Sequence, residues 1–227
     1  MNDQFDSLTE QYDTKKQDYY HNPRTEMVQF IPKHAKRVLD IGCSTGGFGA
    51  KVKEQFKDIQ IWGIEPYKTA ADEASKVLDK VLYTTFEADM PELSNEKFDV
   101  IIFNDVLEHL IEPGMVLGYC HQYLNNNGVV VASIPNILYF PVFVKQILIR
   151  EDWKYDKEGI LDNTHLRFFT KKSIVRLFND NGYAINSIQG INKHTSLYYS
   201  IFNALTLNKI KEWRYQQYAV VATSKKD

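Results

Sequence analysis

A chain of 227 residues with 44% hydrophobic and 25% charged side chains can bury one substantial core, so a single domain over 1–227 is expected. Its 27 basic and 29 acidic residues leave a net charge of −2, which gives no sign of a nucleic-acid footprint. The opening, MNDQFDSLTEQYDTKKQDYY, lacks the basic-then-apolar order of a signal peptide. Cys43 and Cys120 have no metal-ligand spacing and suit a reducing compartment, so the cytoplasm is the expected location.

Apolar runs of strand length alternate with segments of helical period, the pattern of a parallel sheet covered by helices on both faces. Residues 1–35 precede the first strand and are expected to form a helical cap. RVLDIG (37–42) reads as the first strand, and Phe48, Val52 and Phe56 share one face of the helix after it. IQIWGIE (59–65) reads as the second strand, with Thr69 and Asp72 forming a capping box for the next helix. VLYTTFEADM (81–90) gives a weaker third strand, and FDVIIFND (98–105) a fourth that is nearly continuous in apolar residues. After Pro113, the set Val116, Tyr119, Cys120, Tyr123 and Leu124 makes a helical stripe that stops at NNNG. VVVASIP (129–135) is the fifth strand. Thr170 caps a helix starting at Lys171, carrying Ile174, Leu177 and Phe178 and ending at Gly182. YAINSI (183–188) and YAVVATS (218–224) close the chain as two strands. Segments 137–169 and 192–214 are inserts of a length that goes with function or with helices of their own. The apolar run at 137–149 carries Pro141 and Lys145 and is too short to span a bilayer, so no integral membrane segment is expected.

Ligands of open parallel sheets sit beyond the carboxyl ends of the strands. Asp40 lies just before the turn in VLDIGCSTGGFG (38–49), Glu65 ends the second strand, Asp89 follows the third, and Asn104 and Asp105 end the fourth. Glu65 falls 23 residues after Gly42, where a carboxylate can accept hydrogen bonds from ribose hydroxyls, which points to an adenosine-containing cofactor. Ser44 stands where a dinucleotide fingerprint needs its second glycine, and no Lys-Ser or Lys-Thr pair follows. Pyrophosphate and P-loop phosphates are therefore disfavoured.

Together these stretches resemble the class I S-adenosylmethionine-dependent methyltransferases. The matching pieces are VLDIGCSTG, GIEP, EADM, FDVIIFNDVLEHL and LNNNGVVVASIPN, in consistent order from 38 to 136. The resemblance implies an α/β, doubly wound, Rossmann-like seven-stranded sheet, mostly parallel with an antiparallel C-terminal hairpin strand. It implies S-adenosyl-L-methionine as cofactor and S-adenosyl-L-homocysteine as product. Gly42 and Gly46, flanking Cys43 and Ser44, would approach the methionine part, with Asp40 beside its amino end. Glu65, followed by Pro66, would hold the ribose, Asp89 with Met90 would surround adenine, and Asn104 and Asp105 would lie near the sulfonium side. Ser44 replaces the commoner glycine. Tyr20 and Arg24, in QDYYHNPRTEM (17–27), are candidates to fold over the cofactor.

Methyl transfer from a sulfonium is an in-line displacement that depends on positioning, and a hydroxyl acceptor benefits from a general base. His109 is the best-placed imidazole and His165, in DNTHLRFFT (162–170), the second. That stretch resembles one found in a broad subfamily of quinone-biosynthesis and polysaccharide-sugar methyltransferases, which implies an oxygen acceptor, with Arg167 contacting it. Tyr139 and the other insert aromatics can stack on a sugar or quinone, or form a homodimer interface. The motif NDVL differs from the Asn/Asp-Pro-Pro-aromatic pattern of base-amino methylation, so a small-molecule or glycan acceptor is expected and nucleic acid is not. His21, His34, His121 and His194 read as surface residues, and no metal-ligand set is visible in the spacing. Two competing classes remain open: a non-catalytic S-adenosylmethionine-binding or interaction protein, and a NAD-dependent oxidoreductase, against which Ser44 counts.

Overall fold

The computed structural model describes residues 23–225. Seven strands form one sheet in the order β3-β2-β1-β4-β5-β7-β6. Strands β1 (Arg37–Ile41), β2 (Gln60–Ile64), β3 (Lys80–Leu82), β4 (Phe98–Asn104) and β5 (Leu124–Pro135) pair in parallel. β7 (Tyr215–Ser224) inserts antiparallel between β5 and β6 (Tyr183–Lys193).

The two faces of the sheet are read directly from alternate residues of β4. Ile101 and Phe103 face a core layer that takes in Leu117 and Cys120 of α3 (Pro113–Cys120) and Ile174 and Phe178 of α4 (Lys171–Asp180). Val100 and Ile102 face the other layer, with Phe48 and Val52 of α1 (Gly47–Gln55) and with Met27, Val28 and Phe30 of a 3₁₀ turn at Thr25–Phe30. Each such fully buried side chain contributes about 1.5–3 kcal/mol. This turn is the described part of the expected N-terminal cap; Tyr20 and His21 lie outside the described residues.

Local signals are met at some element ends and overridden at others. Thr170 and Ser173 form a reciprocal capping box at α4: Ser173 N donates to Thr170 Oγ1 at 3.2 Å and Thr170 N to Ser173 Oγ at 2.9 Å. At α2 (Lys68–Ala74) the expected Thr69–Asp72 box is absent, because the helix starts from Tyr67 and Asp72 pairs one turn back with Lys68 Nζ at 2.8 Å. β3 stops at Leu82, where exposed Tyr83 breaks the run of covered residues, and a single 3₁₀ turn at Pro91–Leu93 leads to β4. α3 ends at Cys120, so Tyr123 and Leu124 join the core from beyond the helix. His121 and His194 are half-buried rather than on the surface. The His121 ring bonds Ser224 Oγ at 2.7 Å and Asn181 O at 2.9 Å and stacks on Tyr183.

The first insert forms a short helix at Phe140–Val142 that widens into π turns over Phe143–Ile149. The second carries α5 (Leu197–Leu205) and a 3₁₀ turn at Lys211–Arg214. The inserts pack on each other through Phe140, Tyr199 and Ile210. Among the described residues no helix is long and apolar enough to cross a membrane.

Candidate functional site

A cavity of about 1330 Å³ opens at the carboxyl ends of β1, β2 and β4 and the start of β7. Its floor is the turn after β1. Gly42 N and Cys43 N both donate to Ile64 O, at 2.9 and 3.1 Å, which folds the turn back against β2. Gly42 has φ +71°, and a Cβ there would lie 2.7 Å from Val106 Cγ2, so the position admits glycine for both conformation and space. Ser44 also takes the left-handed region, at φ 50°, which accounts for the advantage of glycine there and costs a serine about 1 kcal/mol.

Glu65 holds that turn in shape. Its Oε2 accepts from Ser44 N at 2.8 Å and its Oε1 from Tyr67 N at 3.0 Å. Burial raises its pKa and these two N–H groups oppose the rise. Asp40 is 1% exposed, and burial together with the nearby Glu65 charge pushes its carboxyl up to about 8. Among the described residues, Asp40 Oδ1 and both side-chain polar atoms of Asn104 are buried with no hydrogen-bond partner. Such atoms cost about 1–3 kcal/mol each unless a ligand satisfies them.

A second network closes the side of the cavity next to β7. Arg24 pairs with Asp105 Oδ2 and donates to Gln217 Oε1 at 3.0 Å, while Gln217 Nε2 donates to Asp105 Oδ1 at 2.8 Å. Ser133 Oγ also donates to Asp105, at 2.9 Å, and Asn192 Nδ2 donates to Gln217 Oε1 at 2.9 Å. Arg24 therefore lines the cavity as expected, although a protein carboxylate engages its guanidinium.

His109 lines the cavity and ends a 3₁₀ turn at Leu107–His109. Leu166 N and Arg167 N donate to Glu108 O at 2.9 and 3.0 Å, joining this turn to the first insert. The His165 ring consequently meets the His109 ring edge-on, with centroids 4.7 Å apart. The fold thereby gathers Glu108, His109 and His165, a potential metal-ligand set that residue spacing alone did not reveal.

Of the positions anticipated from sequence, Asp40, Gly42, Cys43, Ser44, Glu65, Pro66, Asn104, Asp105 and His109 line the cavity along with Arg24. The structure does not bring Asp89, Met90, Gly46, Tyr139, His165 or Arg167 to its wall. Asp89 is exposed and Met90 packs into the core, leaving Thr84, Thr85 and Phe86 at the wall instead. Gly46 sits against Ala74, and the Tyr139 ring faces His194. Arg167 turns outward, donating through Nε and Nη2 to Ile111 O at 3.1 and 2.5 Å. Sequence reasoning missed Gln217 and Asn192, and also Asp156 and Asn163 of the first insert. The one available signal was the polar pair Gln216-Gln217 interrupting an apolar final strand.

A family model described as a methyltransferase domain matches residues 12–188. The chain belongs to that methyltransferase-domain family. The ubiquinone biosynthesis O-methyltransferase of Histophilus somni (strain 2336) is 25% identical over 190 residues, covering 75% of this chain and 79% of the relative. That of Bradyrhizobium diazoefficiens is 31% identical over 107 residues, covering 44% of this chain and only 40% of the relative. A plantazolicin methyltransferase solved with S-adenosylhomocysteine has the same fold, with a TM-score of 0.61 and 17% identity over 96% of this chain and 89% of that one. This methyltransferase is S-adenosylmethionine-dependent. Its cavity suits that cofactor: the unsatisfied Asp40 and Asn104 atoms match a ligand carrying an ammonium group and hydroxyls.

Proposed function

We propose that the chain methylates a hydroxyl oxygen of a small molecule or glycan in the cytoplasm, with His109 as general base. Bound S-adenosylmethionine supplies a sulfonium-activated methyl group. Asp40 holds its amino end, the Gly42–Gly46 turn admits its methionine part, Glu65 accepts from its ribose and Asn104 flanks the sulfonium side.

The observation that carries the reading is the setting of His109. Its Nδ1 lies 3.1 Å from Thr164 O, which only accepts, and 3.2 Å from Thr164 Oγ1, whose own proton goes to Asp162 Oδ1; this setting favours the tautomer protonated at Nδ1, with the lone pair of a base on Nε2. Supporting it, Asp156, Asn163 and Asn192 give the insert side of the cavity a polar lining suited to a hydroxylated acceptor. The naming of the Histophilus relative as an O-methyltransferase points the same way. The balanced charge favours a small acceptor over nucleic acid.

The test is transfer of a labelled methyl group to a panel of phenols, catechols and sugars, with the product bond located by mass spectrometry. An O-methyl product is expected, with kcat of His109→Gln lower by about 10²–10⁴ and cofactor affinity little changed. Methylation at nitrogen or carbon, or cofactor binding with no turnover across the panel, would overturn the reading. The latter would favour a non-catalytic binding protein.

A further inference from the structure

We propose that the exposed apolar face of α5, with the lysines that bracket it, docks the protein on the surface of a membrane rich in anionic lipid. A surface helix ordinarily turns its apolar side to the core and its polar side to water. α5 presents the reverse, and none of its residues is charged. Tyr199 is buried on its inner side, where its hydroxyl donates to Ile210 O and Lys211 O at 3.2 and 3.0 Å and ties the helix to the body. Leu197, Ile201 and Leu205, at successive four-residue steps, form a row facing away from Tyr199, with Tyr198 beside it. Leu197, Tyr198 and Leu205 are 74%, 77% and 76% exposed.

The first insert is joined to this helix and exposes apolar side chains of its own. The Phe140 ring meets those of Tyr199 and Phe202 edge-on, with centroids 5.4 and 5.8 Å apart, and the helical segment that begins there ends in exposed Leu148 and Ile149. Single exposed apolar residues are ordinary, whereas a concentration of them on two packed elements marks an interaction surface.

Charge decides the occupant. Residues 192–214 carry four basic side chains and one acidic one, although the chain as a whole has a net charge of −2. The acidic one, Glu212, is engaged by Lys171 at 3.1 Å. Lys193 precedes α5 and Lys209 and Lys211 follow it; all three are exposed, and among the described residues none of them forms an ion pair. An apolar face with cations at its margins is the arrangement of an interfacial helix: the leucines and the tyrosine enter the headgroup boundary while the ammonium groups meet lipid phosphates. A second copy of the chain fits less well, because a symmetric contact through this face sets like-charged margins against each other. Asn192 and Gln216, at the two roots of the second insert, line the cavity, so docking brings the cavity toward the lipid.

The experiment is co-sedimentation of the full chain with sucrose-loaded vesicles, one set of phosphatidylcholine and one of equal parts phosphatidylcholine and phosphatidylglycerol. Binding to the mixed vesicles should exceed binding to phosphatidylcholine by about 10-fold or more and should fall as salt rises. Leu197→Gln with Leu205→Gln, both at exposed positions, should lower the partition coefficient by about 10-fold or more. Lys209→Glu with Lys211→Glu should lower it by about 10-fold on the mixed vesicles alone. Lys33→Glu with Lys57→Glu, an equal change of net charge at exposed positions elsewhere, should alter it less than about 2-fold. Circular dichroism checks folding, and the Lys209 and Lys211 pair decides the matter if the leucine pair does not fold. None of these readouts requires catalysis, so they stand apart from the proposed methylation. Co-sedimentation with neither kind of vesicle, or binding unchanged by the leucine pair, would overturn the proposal. So would a dimer in sedimentation velocity that the leucine pair dissociates, without vesicle binding, which would assign the face to a second copy instead.

Discussion

Asp40→Asn tests the electrostatics of the cavity most directly. In the ligand-free fold, burial and Glu65 raise the Asp40 carboxyl from an ordinary 3.8 to about 8. A raised acid pKa means that folding favours the protonated form. The associated stability is complete below about pH 4 and drains away as pH rises toward 8. Each pH unit in that window is worth about 1.4 kcal/mol, so by pH 7 the loss is on the order of 4 kcal/mol. For a chain of this size, that corresponds to about 10 °C in Tm. The assay is denaturant unfolding of ligand-free wild type and Asp40→Asn at several values from pH 5 to 8. The variant should be progressively favoured over wild type as pH rises. Parallel pH profiles would show that Asp40 ionises at no cost and would refute the account. A linked result is expected on binding: an ammonium group beside Asp40 should release a proton near neutral pH, measurable by titration in buffers of different ionisation enthalpy.

Glu65→Ala should lower cofactor affinity by at least 100-fold in calorimetric titration, and it should also destabilise the fold by about 3 kcal/mol, because Ser44 N and Tyr67 N lose their shared acceptor. Glu65→Gln, which keeps an acceptor oxygen, should recover part of the stability; equal unfolding midpoints for wild type and the alanine variant would remove the bracing role. Arg24→Met should cost about 3 kcal/mol in urea unfolding, since it strands Asp105 beside Gln217. Adding Asp105→Asn should recover part of that loss, and simple additivity of the two changes would show that the pair is uncoupled.

The sheet could be read from the chain because its central strands are nearly continuous in apolar residues, and Asp40, Glu65 and Asn104 stood out as polar groups at strand ends. Met90 shows the limit of motif matching. It occupies the expected place in the string, but its apolar side chain gains more from the core around Leu93 and Phe98 than from a ligand wall. Arg24 lines the cavity, yet its carboxylate partner lies 81 residues away on the fourth strand's end and no local rule names it. Glu108 and His165 were hidden for a similar reason: only the backbone bonds from Leu166 and Arg167 to Glu108 O bring the two stretches together. Arg167, a basic side chain without a core role, reads as a ligand contact in the sequence, and the fold gives it the Ile111 carbonyl as a partner that no local rule names.

The antiparallel insertion of β7 has an evolutionary consequence. Because β6 ends and β7 begins at the same edge where β5 ends, both long inserts emerge beside one another, and the buried contacts of Phe140 with Tyr199 unite them. The scaffold can therefore keep its donor side unchanged while the pair of inserts is exchanged as one module. Chimaeras carrying both inserts from a relative should fold and change acceptor preference together, whereas swapping one alone would break the seam between them.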